Sequence, residues 1–134
     1  MSLLSVSEFK ALAQPRRSKY GVAPASERAY GGKTYMSKLE CGYAQLLDTW
    51  KLAGAVKEWT GQVAFVLHAP GLLFSRKKPP VLGRYICDFK IVWETGRVEY
   101  VETKGFMTPL GKWKLAHCQA EYNLKITLVR KLPT

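Results

Sequence analysis

Two segments joined by the tripeptide Glu94-Thr95-Gly96 constrain this chain more than any other feature. Arg84–Trp93 and Arg97–Lys104 both read as β-strands, rich in Tyr, Ile, Val and Phe. A three-residue hairpin loop commonly holds a type I turn followed by a left-handed residue, and Gly96 occupies that last place. Trp93 then pairs with Arg97, and counting back sets Asp88 opposite Glu102. Residues two apart on a strand share a face, so Lys104 is expected on the side of Glu102. A two-residue loop would instead set Asp88 opposite Thr103, on the other face.

That register brings two acids together. Facing side chains start from Cβ atoms roughly 4.5–5.5 Å apart. Two carboxylates so placed repel, and one takes a proton unless a cation lies between them. Carboxylate oxygens with open water positions suit Mg²⁺ or Mn²⁺. Lys104 adds a fixed positive charge beside them, able to stabilise a phosphorane-like transition state. Gly105 would let a backbone approach closely. Acids, lysine and metal together describe a site for phosphodiester hydrolysis. The spacing Asp…Glu-x-Lys alone is a weak signal, because acids and bases alternate on the solvent face of many antiparallel strands. Arg97 and Glu99 are read as that alternation only.

The remaining elements fall around this hairpin. Ser37 opens a helix in which Leu39, Tyr43, Leu46, Leu47 and Trp50 recur at helical spacing, extending to about Val56. Ser37 and Glu40 form a capping-box pattern, which accounts for Glu40 without any further role. Glu58–Pro70 reads as a strand bent at Gly61. The stretch 72–83 is a basic loop in which Pro79 and Pro80 exclude a central strand. Thr108 and Pro109 start a second helix that runs to about Tyr122, and Leu124–Arg130 is a final strand. The order α-β-β-β-α-β predicts an α/β fold with a mixed central sheet of about four strands flanked by helices. Strand three, helix two and strand four suit a βαβ crossover. Residues 1–35 read as a loosely ordered basic arm preceding a domain over 36–134.

The chain carries 21 Lys and Arg against 10 Asp and Glu, a formal charge of +11 over 134 residues. This excess points to a polyanionic partner, nucleic acid before an anionic membrane. No apolar run reaches transmembrane length, and no secretory signal pattern opens the chain, so a cytoplasmic protein is expected. Cys41, Cys87 and Cys118 fit neither a disulfide framework nor a zinc knuckle, and are read as buried thiols. His68 and His117 lack ligand spacing and are read as structural or surface residues.

With these residues in view, the chain resembles the PD-(D/E)XK nucleases. Within them it is similar to the small phage and prophage endonucleases of Holliday-junction-resolvase type, a group long known only as a domain of unknown function. The likeness runs from about Ser18 to Val129. It rests on "SKLE" opening the first helix, "RYICDF" on one strand, "VETKG" on the next, and the "KWKL" helix after them. The resemblance implies a restriction-endonuclease-like core. It makes Asp88 and Glu102 metal ligands, Lys104 the catalytic lysine, and Glu40 a helix-borne acid that contacts metal directly or through water. In the wider superfamily a Pro often precedes the Asp, whereas Cys87 stands here; Pro is not a ligand, so ligation is little affected.

The implied activity is a Mg²⁺-dependent DNA endonuclease, with Mn²⁺ able to substitute. Branched DNA, four-way junctions above all, is the implied substrate. Paired cuts across a two-fold axis imply a homodimer, and the family implies a phage or prophage origin in a bacterial host cell. Phosphate contacts are expected from Arg16, Arg17 and Lys19 in the arm, Lys38 on the first helix, Arg76, Lys77 and Lys78 in the basic loop, and Lys112 and Lys114 on the second helix. Each of these cations is equally a solvated surface charge. Three other readings stand beside the junction resolvase: a nuclease acting on flaps, nicked duplex or RNA; a DNA-binding module that has lost its chemistry; and a small basic scaffold protein. Gln62 is a bystander that could help position DNA.

Overall fold

The computed structural model of the chain describes residues 22–70 and 79–133. A 3₁₀ turn, Ala25–Glu27, leads into a short hairpin of β1 (Ala29–Tyr30) and β2 (Lys33–Thr34). Helix α1 covers Lys38–Leu52. Strands β3 (Val56–His68), β4 (Val81–Trp93) and β5 (Val98–Thr103) follow, then helix α2 (Pro109–Tyr122) and strand β6 (Ile126–Val129). The sheet order is β3-β4-β5-β6, with β5 and β6 parallel and the other pairs antiparallel. The fold is therefore α/β, with a mixed four-stranded sheet flanked by two helices, and α2 makes the crossover between the parallel strands.

Each element ends where local chemistry dictates. The Ser37 hydroxyl accepts the Glu40 amide at 3.1 Å and caps α1. Gly54, with φ of 86°, stops that helix, so Val56 opens β3 instead of closing the helical stripe as its spacing suggested. Thr108 caps α2 through the Gly111 amide at 3.0 Å, with Pro109 in the first turn. The β4–β5 loop has the expected form. Gly96 has φ of 87°, its amide reaches the Trp93 carbonyl at 2.9 Å, and the Trp93 amide reaches Arg97 at 2.9 Å. The ladder then pairs Val92 with Val98 and Phe89 with Val101, the register the loop length required.

Residues 22–35, expected within a loose arm, belong to the packed unit. Tyr35 is buried in the core, the Arg28 guanidinium bonds the carbonyls of Ala23 and Tyr35, and Tyr30 donates to Asp48 on α1 at 2.6 Å. Asp48 also accepts from the Trp59 indole at 2.8 Å, so one carboxylate ties the hairpin and β3 to the helix. Residues 1–21 of that arm and most of the basic loop lie outside the described residues.

The core has two layers. Tyr43, Ala44 and Leu47 of α1 pack with Val56, Phe89, Ile91 and Val101. Leu115 and Cys118 of α2 pack with Phe65, Leu67, Tyr85, Cys87 and Ile126. On β5, the neighbours Tyr100 and Val101 belong to different layers, as successive strand residues should. On β4 the alternation breaks: Phe89 and Ile91 face α1, yet Cys87 and Tyr85, of the same parity, face α2. β3 breaks at the facing position, with Trp59 in the α1 layer and Val63 and Phe65 in the α2 layer. The pairs Gly61–Phe89 and Val63–Cys87 bracket this change, so the two strands exchange faces together at Gln62 and Asp88. Gln62 takes a left-handed backbone there, φ 55°.

His68 and His117 are structural, as read. Glu121 accepts from the His68 amide at 2.6 Å and meets its ring at 3.0 Å, while His117 Nε2 lies 2.9 Å from the His68 carbonyl. These contacts hold α2 against the end of β3. The three cysteines are buried and unpaired.

The hairpin turn provides a direct check on what sets the register. Gly96→Ala should lower urea-unfolding stability by about 1 kcal/mol, because an L-residue resists positive φ. Gly83→Ala, where an added Cβ meets nothing within 4 Å, should leave it almost unchanged.

Candidate active site

Three elements supply the candidate residues: α1 carries Glu40, β4 Asp88 and β5 Glu102, with Lys104 just past the end of β5. The three carboxylates are buried, at 3%, 6% and 3% exposure for Glu40, Asp88 and Glu102. Burial this deep is rare for an acid without a partner. None of the three is therefore the solvent-facing alternation that their strand and helix positions alone would allow.

Asp88 sits where β4 and β5 part. The last laddered pair is Phe89–Val101, and one step on the Asp88 carboxylate takes the place of a backbone acceptor. Its Oδ2 accepts from the Thr103 amide at 2.9 Å and from the Thr103 hydroxyl at 2.8 Å. Among the described residues no donor reaches Oδ1.

Glu102 is held from two sides. Tyr85 donates its hydroxyl to Oε2 at 2.6 Å, and the Lys104 ammonium lies 3.7 Å from Oε1. Burial, and after it the Asp88 charge, pushes the Glu102 carboxyl up to about 7, against the opposing pull of Tyr85, Lys104 and the Asp88 backbone. Burial also raises the Tyr85 hydroxyl, with the bond to Glu102 adding to it. Lys104 itself is 46% exposed, so its head reaches solvent while touching the buried acid.

Glu40 approaches Asp88 from the helix side. Ser37 satisfies the helix cap without the Glu40 side chain, which turns inward and accepts from Gln62 Nε2 at 2.8 Å. Burial raises the Glu40 carboxyl, and the Asp88 charge raises it further, while the Met36 backbone, Gln62 and Lys33 oppose the shift. Asp88 is thus the common electrostatic neighbour of both glutamates.

Of the expected set, Glu40 and Glu102 are each electrostatic neighbours of Asp88, and Lys104 touches Glu102, but among the described residues no three such ligands group closely enough to hold a metal ion. Lys38 and Lys112 are exposed and Lys114 half-buried, and no bond joins them to the acids. Arg16, Arg17, Lys19, Arg76, Lys77 and Lys78 lie outside the described residues. Cys87, in the place of the usual Pro, is a buried thiol that burial pushes up to about 12, and it donates to the Val101 carbonyl at 3.3 Å. It packs the sheet and offers no thiolate. A cavity of about 590 Å³ lined by His68, Pro79, His117 and Glu121 contains none of the three carboxylates.

Three contributors escaped sequence reasoning. Tyr85 steadies Glu102, and only the exchange of faces on β4 brings the two together. Lys33 was counted within a loose arm, but the Gly31-Gly32 turn folds it back. Its ammonium lies over the Tyr35 ring at 4.8 Å and favours the charged form of Glu40. Gln62, treated as a bystander, touches Glu40 directly. The signal for Lys33 was the double glycine, a hairpin marker.

The donor chemistry suits a divalent cation. The oxygens are hard donors, and mutual repulsion makes the cation-free arrangement costly. Among the described residues no three His, Cys, Asp or Glu close into a ready-made cage. Mg²⁺ does not require one, since it commonly takes one or two carboxylates and fills its shell with water and substrate phosphate. Asp88 and Glu102 fit that pattern, with Glu40 beside Asp88.

The shift at Glu102 fixes a sign. Its folded value lies above its unfolded one, so its stabilising contribution is complete below about pH 4.5 and is lost as pH rises towards 7. Without divalent cations, Glu102→Gln should therefore be more stable than wild type at pH 8, by roughly 2 kcal/mol. The gain should vanish at pH 4, as read from denaturant unfolding at each pH.

Residues 17–133 match the model of a family described as a protein of unknown function, DUF1064. No curated protein and no solved structure gives a significant match. The matched span contains Glu40, Asp88, Glu102 and Lys104 together with every described element from the 3₁₀ turn to β6, and the chain belongs to the DUF1064 family.

Proposed function

We propose that this protein is a Mg²⁺-dependent DNA endonuclease of the PD-(D/E)XK type, acting on branched DNA. The observation that carries the reading is the burial of Asp88 and Glu102 on adjacent strands, with the Lys104 ammonium 3.7 Å from the Glu102 carboxylate. Buried acids in a chain of charge +11 need a reason, and a cation shared with a phosphodiester supplies one. The fold class and the order α-β-β-β-α-β agree with a restriction-endonuclease-like core.

Asp88 and Glu102 would hold the cation, with Glu40 contacting it directly or through water. A bound Mg²⁺ or Mn²⁺ supplies the positive charge that neutralises phosphate oxygens and makes water a stronger nucleophile. The chain's own groups do the rest. Thr103 fixes one Asp88 oxygen and leaves the other to the site. Tyr85 fixes Glu102, which keeps its second oxygen near Lys104. Lys104, half-exposed, can stabilise charge on a scissile phosphate and orient the attacking water. Lys33, Lys38, Lys112 and Lys114 supply exposed or half-exposed charge for the DNA backbone. A four-way junction cut on both strands calls for a homodimer.

A second reading is a DNA-binding module of the same fold without chemistry. The absence of a closed three-ligand cage among the described residues favours it.

Cleavage of a synthetic four-way junction in Mg²⁺, compared with Ca²⁺, separates the two. We expect paired nicks in Mg²⁺ or Mn²⁺ and binding alone in Ca²⁺. Asp88→Asn and Lys104→Ala should each lower cleavage on the order of a hundredfold or more while junction binding persists. Binding should weaken steeply with salt as counterions are released. Binding without cleavage under every metal would establish the second reading, and full activity in both variants would end the site assignment.

A further inference from the structure

We propose that Gln62 positions Glu40, and that the left-handed backbone at Gln62 is retained for that purpose. The inference rests on the nuclease reading of the site and adds to it a residue that touches neither the cation nor the substrate.

Gln62 is a non-glycine residue with φ of 55°, a conformation L-residues adopt only under compensation. Asn123 is the other such residue among those described, and it occupies a helix C-cap, where that conformation is ordinary. Gln62 lies mid-strand, opposite Asp88, where β3 and β4 exchange faces. Glycine would serve the backbone better at this point, and the chain already has one next door at Gly61. A glutamine in its place indicates that the side chain is needed.

Its amide shows the need. Glu40 is 3% exposed and carries like charge to Asp88, so repulsion drives its carboxylate away from the site. A carboxylate only accepts, so the Gln62 group 2.8 Å from Glu40 Oε1 is the amide nitrogen, donating. That bond reaches from an edge strand to the first turn of α1 and holds the carboxylate beside Asp88. An amide suits the task better than an ammonium. It anchors the acid without neutralising it, leaving the full negative charge for a cation. Lys33, whose ammonium would come within 3.6 Å of a Cβ at Gly61, supplies longer-range charge to Glu40.

Backbone strain and side-chain function can be separated with two variants. Gln62→Gly removes the amide and relieves the backbone; Gln62→Ala removes the amide and keeps the strain. Without divalent cations, the thermal midpoint of Gln62→Gly should equal or exceed that of wild type, and that of Gln62→Ala should fall. Both should bind Mn²⁺ about tenfold more weakly by calorimetry and cut junctions about tenfold more slowly, as for other groups that orient a ligand. A crystal structure of Gln62→Gly should show the Glu40 carboxylate turned away from Asp88. Wild-type Mn²⁺ affinity and rate in Gln62→Gly, activity that follows the thermal midpoint across the two variants, or an unmoved Glu40 would each overturn the inference. The nuclease reading fails on a different observation, namely Asp88→Asn binding Mn²⁺ as tightly as wild type. In that event the position of Glu40 in Gln62→Gly still decides the role of Gln62.

Discussion

The bond between the Asp88 carboxylate and the Thr103 amide and hydroxyl is the hinge of this structure. It lies one step beyond the last β4–β5 ladder pair, where the strands separate and the Thr103 donor would otherwise lose its partner. A buried carboxylate is tolerable only with such donors around it. Once Asp88 is fixed and charged in that place, its effects reach outward. It raises Glu102 on one side and Glu40 on the other, and both neighbours then need holding, by Tyr85 and by Gln62. The site is a set of electrostatic conflicts restrained by neutral hydrogen bonds from Tyr85 and Gln62, with the Lys104 ammonium added at Glu102.

The two-layer core explains how three acids can be buried together without emptying the core of apolar contacts. α1 and α2 cover different layers, and β3 and β4 pass from one to the other at Gln62 and Asp88. Along that line neither apolar layer is continuous. Polar side chains there interrupt no packing that a regular sheet would have made. Stability is given up at the same point, through a left-handed glutamine and clustered negative charge, which is where a functional site is expected to break local rules.

Much of this was legible in the residues alone. The three-residue loop with Gly96 in third place gave the correct β4–β5 register, because turn geometry is local and glycine marks it. Ser37, Thr108 and Pro109 marked both helix starts for the same reason. The nearness of Lys104 to Glu102 followed from their shared strand face. What escaped was non-local. Tyr85 and Phe89 have the same parity, and nothing nearby in sequence says that the strand changes face between them. Glu40 had a sufficient local explanation in the helix cap, and its side chain instead turns inward to bond Gln62, twenty-two residues on. Lys33 was lost because a polar, glycine-rich segment looks like a tail until Tyr30 and Tyr35 are seen packed against α1.

The central claim is that Asp88 and Glu102 share a divalent cation. Crystals soaked in Mn²⁺ and measured at the manganese edge test it most directly. The account predicts an anomalous peak about 2.1–2.2 Å from one oxygen of each carboxylate, and its loss in Asp88→Asn. A saturated soak with no peak between those two side chains, or with manganese only on exposed surface acids, would contradict it.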